Sequence, residues 1–163
     1  MAELQRGTVE GIHIAPRAAA QTRAVEAVDV VAGRGIEGDR YFRTDGSGTF
    51  HEADKHGQDL TLIEAEAIEG LAADTGIELA PGEARRNVVT RGVALNDLVG
   101  RRFIVGEVEA VGNRLCDPCN HLEKLTQPGV LKGLVERGGL RADVIRGGAI
   151  RVGDELRELG PAG

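Results

Sequence analysis

The sequence predicts a mainly β protein, a β-barrel or curled sheet decorated with a few short α-helices. Three observations carry this. Roughly seven to nine short runs have strand character, each closed by a turn signal. The 24 glycines gather in turn-like clusters. Only one stretch has sustained helical periodicity, so the βαβ alternation of a parallel sheet is missing.

The elements follow in order. Thr8 to Ile14 reads as a half-buried strand ended by Pro16. His13 alternates with Ile12 and Ile14 and is expected to face solvent. Ala24 to Val31 is a second strand. It runs into Gly33-Arg34-Gly35-Ile36-Glu37-Gly38-Asp39-Arg40-Tyr41, an irregular loop that reads as a mobile hairpin loop or, favoured by the grouping of Asp39, Arg40 and Tyr41, as a ligand-facing or fold-critical one. Arg43 to Gly57 reads as a polar loop holding His51 and His56. Gln58 to Ile63 is a short strand. Glu64 to Thr75 is the clear helix, with Ala65, Ile68, Leu71, Ala72 and Thr75 on one face and Gly76 as its stop.

Leu79 to Gly82 is a turn into a strand over Glu83 to Thr90. On such a strand Arg85 and Asn87 share one side and Arg86 takes the other. An Arg and an Asn on one face suit an oxyanion or the edge of a planar heterocycle, and equally a salt-bridged strand end. Asp97 to Gly106 turns into a long strand ending near Val111. His121 to Leu125 and Val130 to Arg137 are short helices split by Pro128-Gly129. Leu140 to Ile145, Ala149 to Val152 and Glu155 to Leu159 are strands joined by glycine turns, and the C-terminal tail reads as disordered.

The 163 residues suffice for a single domain over 1–163 with a core of about 6–160. The N-terminus reads as no signal peptide, and no apolar run is long enough to span a membrane. The two cysteines then read as free thiols in a reducing cytoplasm. A net charge of −6 and 2% aromatic residues argue against a general nucleic-acid binder.

Chemistry concentrates in Asn113-Arg114-Leu115-Cys116-Asp117-Pro118-Cys119-Asn120-His121-Leu122, a proline-stiffened turn expected to leave a strand. Four readings compete. It could be a redox dithiol. It could be zinc, with Cys116, Cys119 and His121 joined by His51 or His56 in a small interaction domain. It could be one thiolate that binds a soft metal or carries sulfur. Or the cysteines could be small hydrophobes.

Several segments together resemble the MOSC domain, found at the C-terminus of molybdenum-cofactor sulfurases. They are Gly35 to Tyr41, Gln58 with Leu60 to Glu64, Pro81-Gly82 followed by Arg85-Arg86-Asn87-Val88-Val89, and Leu98-Val99-Gly100 into Val105-Gly106. The Arg114…Pro118-Cys119…Leu122 turn and Gly147 to Asp154 complete the set, in family order. The resemblance is to a stand-alone MOSC protein and implies a MOSC-type β-barrel with one functional cysteine.

It further implies a molybdenum cofactor, a molybdopterin whose metal is ligated by Cys119, and an oxidoreductase acting on small N-hydroxylated compounds with an external electron-transfer protein as donor. Arg40, Arg85, Arg86 and Asn87 become the pterin or phosphate contacts. Asn120 and His121 line the metal's open side, and His121 has the intrinsic pKa of a proton donor. The other class the family allows is a sulfur carrier or transferase. There Cys119 takes a persulfide from a cysteine desulfurase, and the pyridoxal phosphate belongs to that partner. Cys116 is an extra thiol that could resolve such a persulfide or simply pack.

Overall fold

The computed structural model describes residues 4–17, 20–40, 42, 59–116 and 120–162. In chain order the elements are β1 (Arg6–Ile14), β2 (Arg23–Ala24), β3 (Ala27–Val31), β4 (Gly35–Ile36), β5 (Leu60–Glu64), α1 (Ala65–Thr75) and β6 (Val88–Arg91). They continue as β7 (Arg101–Val105), β8 (Val108–Leu115), α2 (Asn120–Leu125), α3 (Val130–Gly133), β9 (Leu140–Arg146), β10 (Gly148–Arg151) and β11 (Glu155–Pro161). Two 3-10 turns, Pro81–Ala84 and Leu95–Leu98, precede β6 and β7.

The sheet runs β11-β7-β8-β9-β5-β6-β1, and β1 pairs back onto β11, so these strands close a mixed barrel. Closure removes free edges. Every pair is antiparallel except β5–β6, whose parallel register needs a crossover, supplied by α1. A second sheet, β10-β3-β4, folds onto the barrel.

Alternation builds the interior. Leu60 and Leu62 of β5 point inward with Val88, Phe103, Val105, Val108, Ala110, Leu140 and Ala142. In β1 the inward residues are Val9, Ile12 and Ile14; a bulge between Val9 and Gly11 accounts for the step of three. Val28, Val30, Ile36 and Ile150 cover the interior from the small sheet. Outside the wall, Ile63 and Val89 pack under Ala65, Ala67, Ile68 and Leu71 of α1 and Val130 and Leu134 near α3. Burying each large apolar side chain contributes about 1.5–3 kcal/mol. Glu158 pins the β1–β11 closure, accepting from Gln5 N at 3.1 Å and Arg101 Nε at 2.6 Å.

The predicted barrel with short helices is the observed one, and five local expectations are corrected. The expected long strand into Val111 is a hairpin. Val105 pairs with Val108 across Gly106-Glu107, and because both valines face the core, the apolar pattern runs through the turn unbroken. The tail is ordered through β11, where Gly160 and Pro161 pair with Arg102 and Arg101. The expected strand Ala24 to Val31 breaks between β2 and β3. The buried face of α1 uses Ala67 instead of Thr75. Arg85 is not on a strand: it ends the 3-10 turn with φ 61°, and β6 begins only at Val88.

Candidate functional site

The site is built where the loop after β4 meets the backbone between the Pro81–Ala84 turn and β6. Asp39 and Arg40 are almost fully buried, which charged residues tolerate only when paired. Asp39 Oδ1 accepts from Ala15 N at 3.0 Å and from Arg40 Nη1 at 3.2 Å. Arg40 Nη2 donates to the Arg85 carbonyl at 2.9 Å. A left-handed conformation costs a non-glycine residue on the order of 1 kcal/mol. Here the turn's 3-10 hydrogen bond and Arg40 hold it in place. Arg85 in turn donates from Nη1 to the Ala20 carbonyl at 2.6 Å.

Arg86 points to the start of the cysteine turn. Its Nε donates to the Gly138 carbonyl at 2.8 Å and its Nη2 to the Cys116 carbonyl at 3.3 Å. The Cys116 N–H donates to the Gly139 carbonyl at 2.7 Å. Gly139 must be glycine: its φ is +114°, and a Cβ there would lie 2.1 Å from the Leu62 carbonyl oxygen. The last residue before the turn is thus clamped by one arginine and by the Gly138-Gly139 backbone. Its own side chain, the Cys116 thiol, is 1% exposed.

Asn87 is also buried, and its amide is occupied. Its Oδ1 accepts from Thr61 Oγ1 at 3.0 Å and its Nδ2 donates to the His13 carbonyl at 3.1 Å. It fastens β5 to β1 across β6. Arg85 lines an open cleft of about 200 Å³, together with Thr22 and with Leu125 and Thr126 at the far end of α2. Since α2 begins at Asn120, the helix that follows the cysteine turn and the Arg85 cation share one cleft.

The structure therefore joins Arg40 to the Arg85 backbone, while the adjacent Arg86 and Asn87 bond to other partners, the Gly138 and Cys116 carbonyls and Thr61 with the His13 carbonyl. Cys119, expected from the sequence as the metal ligand, lies outside the described residues, as do Asp117, Pro118, Tyr41, His51 and His56. Of Asn120 and His121 the backbone alone is described, as the first turn of α2. Among the described residues no group of three His, Cys, Asp or Glu side chains is gathered as a metal site.

The MOSC domain model matches residues 38–157, most of the chain, including Asp39, Arg40, Thr61, Arg85, Arg86, Asn87 and Cys116. The chain belongs to the MOSC domain family. The other comparisons are structural. The barrel superposes on the YuaD protein from Bacillus subtilis with a TM-score of 0.82 and 22% identity, covering 99% of this chain and 100% of that one. YiiM from Geobacillus stearothermophilus gives 0.71 and 16%, covering 94% of this chain and 75% of that one. YiiM from Escherichia coli gives 0.68 and 17%, covering 96% and 71%. At these identities the likeness is one of fold. No curated protein matches the MOSC chain in sequence.

Sequence reasoning missed two members of the site region. Thr61, hidden in an apolar strand run, supplies the hydroxyl that orients Asn87. His13 was expected to face solvent but is 9% exposed. It does point away from Ile12 and Ile14. However, β2 pairs alongside it and Gly82 lies against its ring, so the outer face of β1 is covered there. Burial lowers its pKa below 6.5. No helix among the described residues is long and apolar enough to cross a membrane.

Proposed function

We propose that this MOSC barrel binds a molybdenum cofactor through the Cys119 thiolate and reduces small N-hydroxylated compounds, with electrons from a separate electron-transfer protein in the cytoplasm. The observation that carries the reading is the convergence just described. One buried arginine clamps the backbone at Cys116, and its neighbour Arg85 lines the cleft reached by the helix after the cysteine turn.

The donor set fits such a group. A thiolate is a soft ligand suited to molybdenum, and a pterin phosphate needs guanidinium donors. Arg40 is paired with the Asp39 carboxylate and bonds the Arg85 backbone, while the Arg85 and Arg86 guanidinium groups donate to the Ala20 and Gly138 carbonyls. Arg85 is the phosphate contact. Arg40 fixes the Arg85 backbone, Arg86 fixes the approach to the turn, and Asn87 keeps β1, β5 and β6 in register. When bound, the molybdenum supplies two-electron redox chemistry at the open side of the site. Asn120 and His121, in the first turn of α2, are assigned to substrate contact and to proton donation as an N–O bond becomes N–H and water.

The test is elemental and pterin analysis of protein made in a cofactor-competent host, alongside Cys119→Ala and Arg85→Ala. The expected result is molybdenum and pterin in the parent, metal lost in Cys119→Ala, and both reduced in Arg85→Ala. Absence of molybdenum and pterin from all three would overturn the reading. A persulfide formed on Cys119 by a pyridoxal-phosphate-dependent cysteine desulfurase would then make sulfur transfer the function.

A further inference from the structure

A second cleft, of about 230 Å³, opens on the other side of the Pro81–Ala84 turn, between that turn, the outer face of β1 and β2. Val25, Pro81 and Val89 give it apolar walls, and Glu10 and Glu26 stand at its rim. His13 forms part of the wall. Its ring is nine-tenths buried, and its Nδ1 has no hydrogen-bond partner among the described residues. An unpaired buried nitrogen is costly unless something completes it. The glycines beside the ring are what admit it. A Cβ at Gly82 would lie 2.8 Å from His13 Cδ2, and one at Gly11 would lie 3.2 Å from Cε1.

We propose that this cleft binds a small organic cation, a primary amine carried on an apolar body. The apolar walls take the body, the His13 ring forms part of that wall, and the ammonium lies at the acidic rim. The charge at the rim selects a cation. Glu10 is already held by Arg91, but the exposed Glu26 carboxylate makes no ion pair with any described residue. A neutral imidazole, favoured by burial, does not repel a cation. Cys119 and its cofactor play no part in this assignment, so it stands or falls separately from the proposed function.

The probe is benzylamine, with benzyl alcohol as its uncharged counterpart. The readout is the His13 ring resonances in ¹³C-histidine-labelled protein, assigned by their absence in His13→Gln. The expected result is a saturable shift with a dissociation constant on the order of 1 mM, as small ligands of this size allow. Benzyl alcohol should bind about fivefold more weakly. Glu26→Gln, an exposed substitution that leaves the fold intact, should weaken benzylamine about threefold and leave benzyl alcohol unchanged. No saturable shift up to about 20 mM benzylamine, at a Kd ceiling set by such weak contacts, would overturn the site. Equal binding of both probes with no effect of Glu26→Gln would overturn its preference for a cation.

Discussion

The guanidinium of Arg40 donates to the backbone carbonyl of Arg85 at 2.9 Å, so one buried cation sets the main-chain direction of another. Removing it leaves the Asp39 carboxylate buried without this partner and frees the left-handed turn at Arg85. Arg40→Leu should therefore cost about 3–5 kcal/mol, since breaking a buried pair leaves an uncompensated charge in the interior. Each kcal/mol moves the melting temperature of a chain this size by about 2–4 °C. The check is calorimetry. A drop below about 2 °C, less than 1 kcal/mol, would show that the pair is not structural.

Asn87→Ala removes the acceptor for Thr61 and the donor to the His13 carbonyl while leaving the backbone of β6 in place. Two buried groups lose their partner, which predicts a loss of about 2–4 kcal/mol. Asn87→Asp keeps an acceptor for Thr61 but turns a donor into an acceptor facing the His13 carbonyl, and should be at least as unstable. Urea denaturation should show a lower midpoint with an unchanged slope, because the surface exposed on unfolding is the same.

Gly139→Ala meets both a positive φ and the Leu62 carbonyl. Neither can be relieved without moving β5 or releasing Cys116. The expected result is a loss of more than about 3 kcal/mol, or no soluble protein at all. Arg86→Lys is the milder probe of the same clamp. A lysine cannot reach both the Gly138 and Cys116 carbonyls with a planar fork. The Cys116 amide should then exchange with solvent about tenfold faster, while amides within α1 keep their protection.

His13 makes stability sensitive to acid. Its folded pKa lies below 6.5 because burial disfavours the imidazolium. The folded state therefore binds fewer protons than the unfolded chain as pH falls through this range. The stabilising contribution is complete above pH 6.5 and is lost as pH falls towards the folded value. An NMR titration of the His13 ring should show a midpoint below 6.5. His13→Gln should flatten the fall in melting temperature on the acid side. A midpoint at or above 6.5 would contradict the burial argument.

The fold was legible wherever local chemistry and tertiary packing agreed. β1, α1 with its Gly76 stop, and the glycine-separated strands from Leu140 onward all follow from alternation, periodicity and turn residues. The reading failed where one signal served two purposes. Val105 and Val108 look like one strand because both ends of a hairpin face the same core. Arg85 looks like a strand residue because nothing in its side chain announces a left-handed backbone; the bond from Arg40 is made from far away in sequence. The family resemblance named Arg40, Arg85, Arg86 and Asn87 together as expected contacts. What each of them bonds was not legible, since it depends on which carbonyl each side chain reaches. His13 was misread because alternation tells which way a side chain points, not whether another strand covers it.

The barrel is closed by pairing residues 6–8 with residues 155–157. In a nascent chain the β7–β8 hairpin can pair as soon as it emerges, since its contacts are local. The chain cannot complete the ring until β11 has been made. Until then β1 and β7 each present an unpaired edge able to recruit a strand from another molecule. Deleting β11 should accordingly produce a chain that associates rather than one that merely melts sooner, and co-translational chaperone contact should persist until the last strand has emerged.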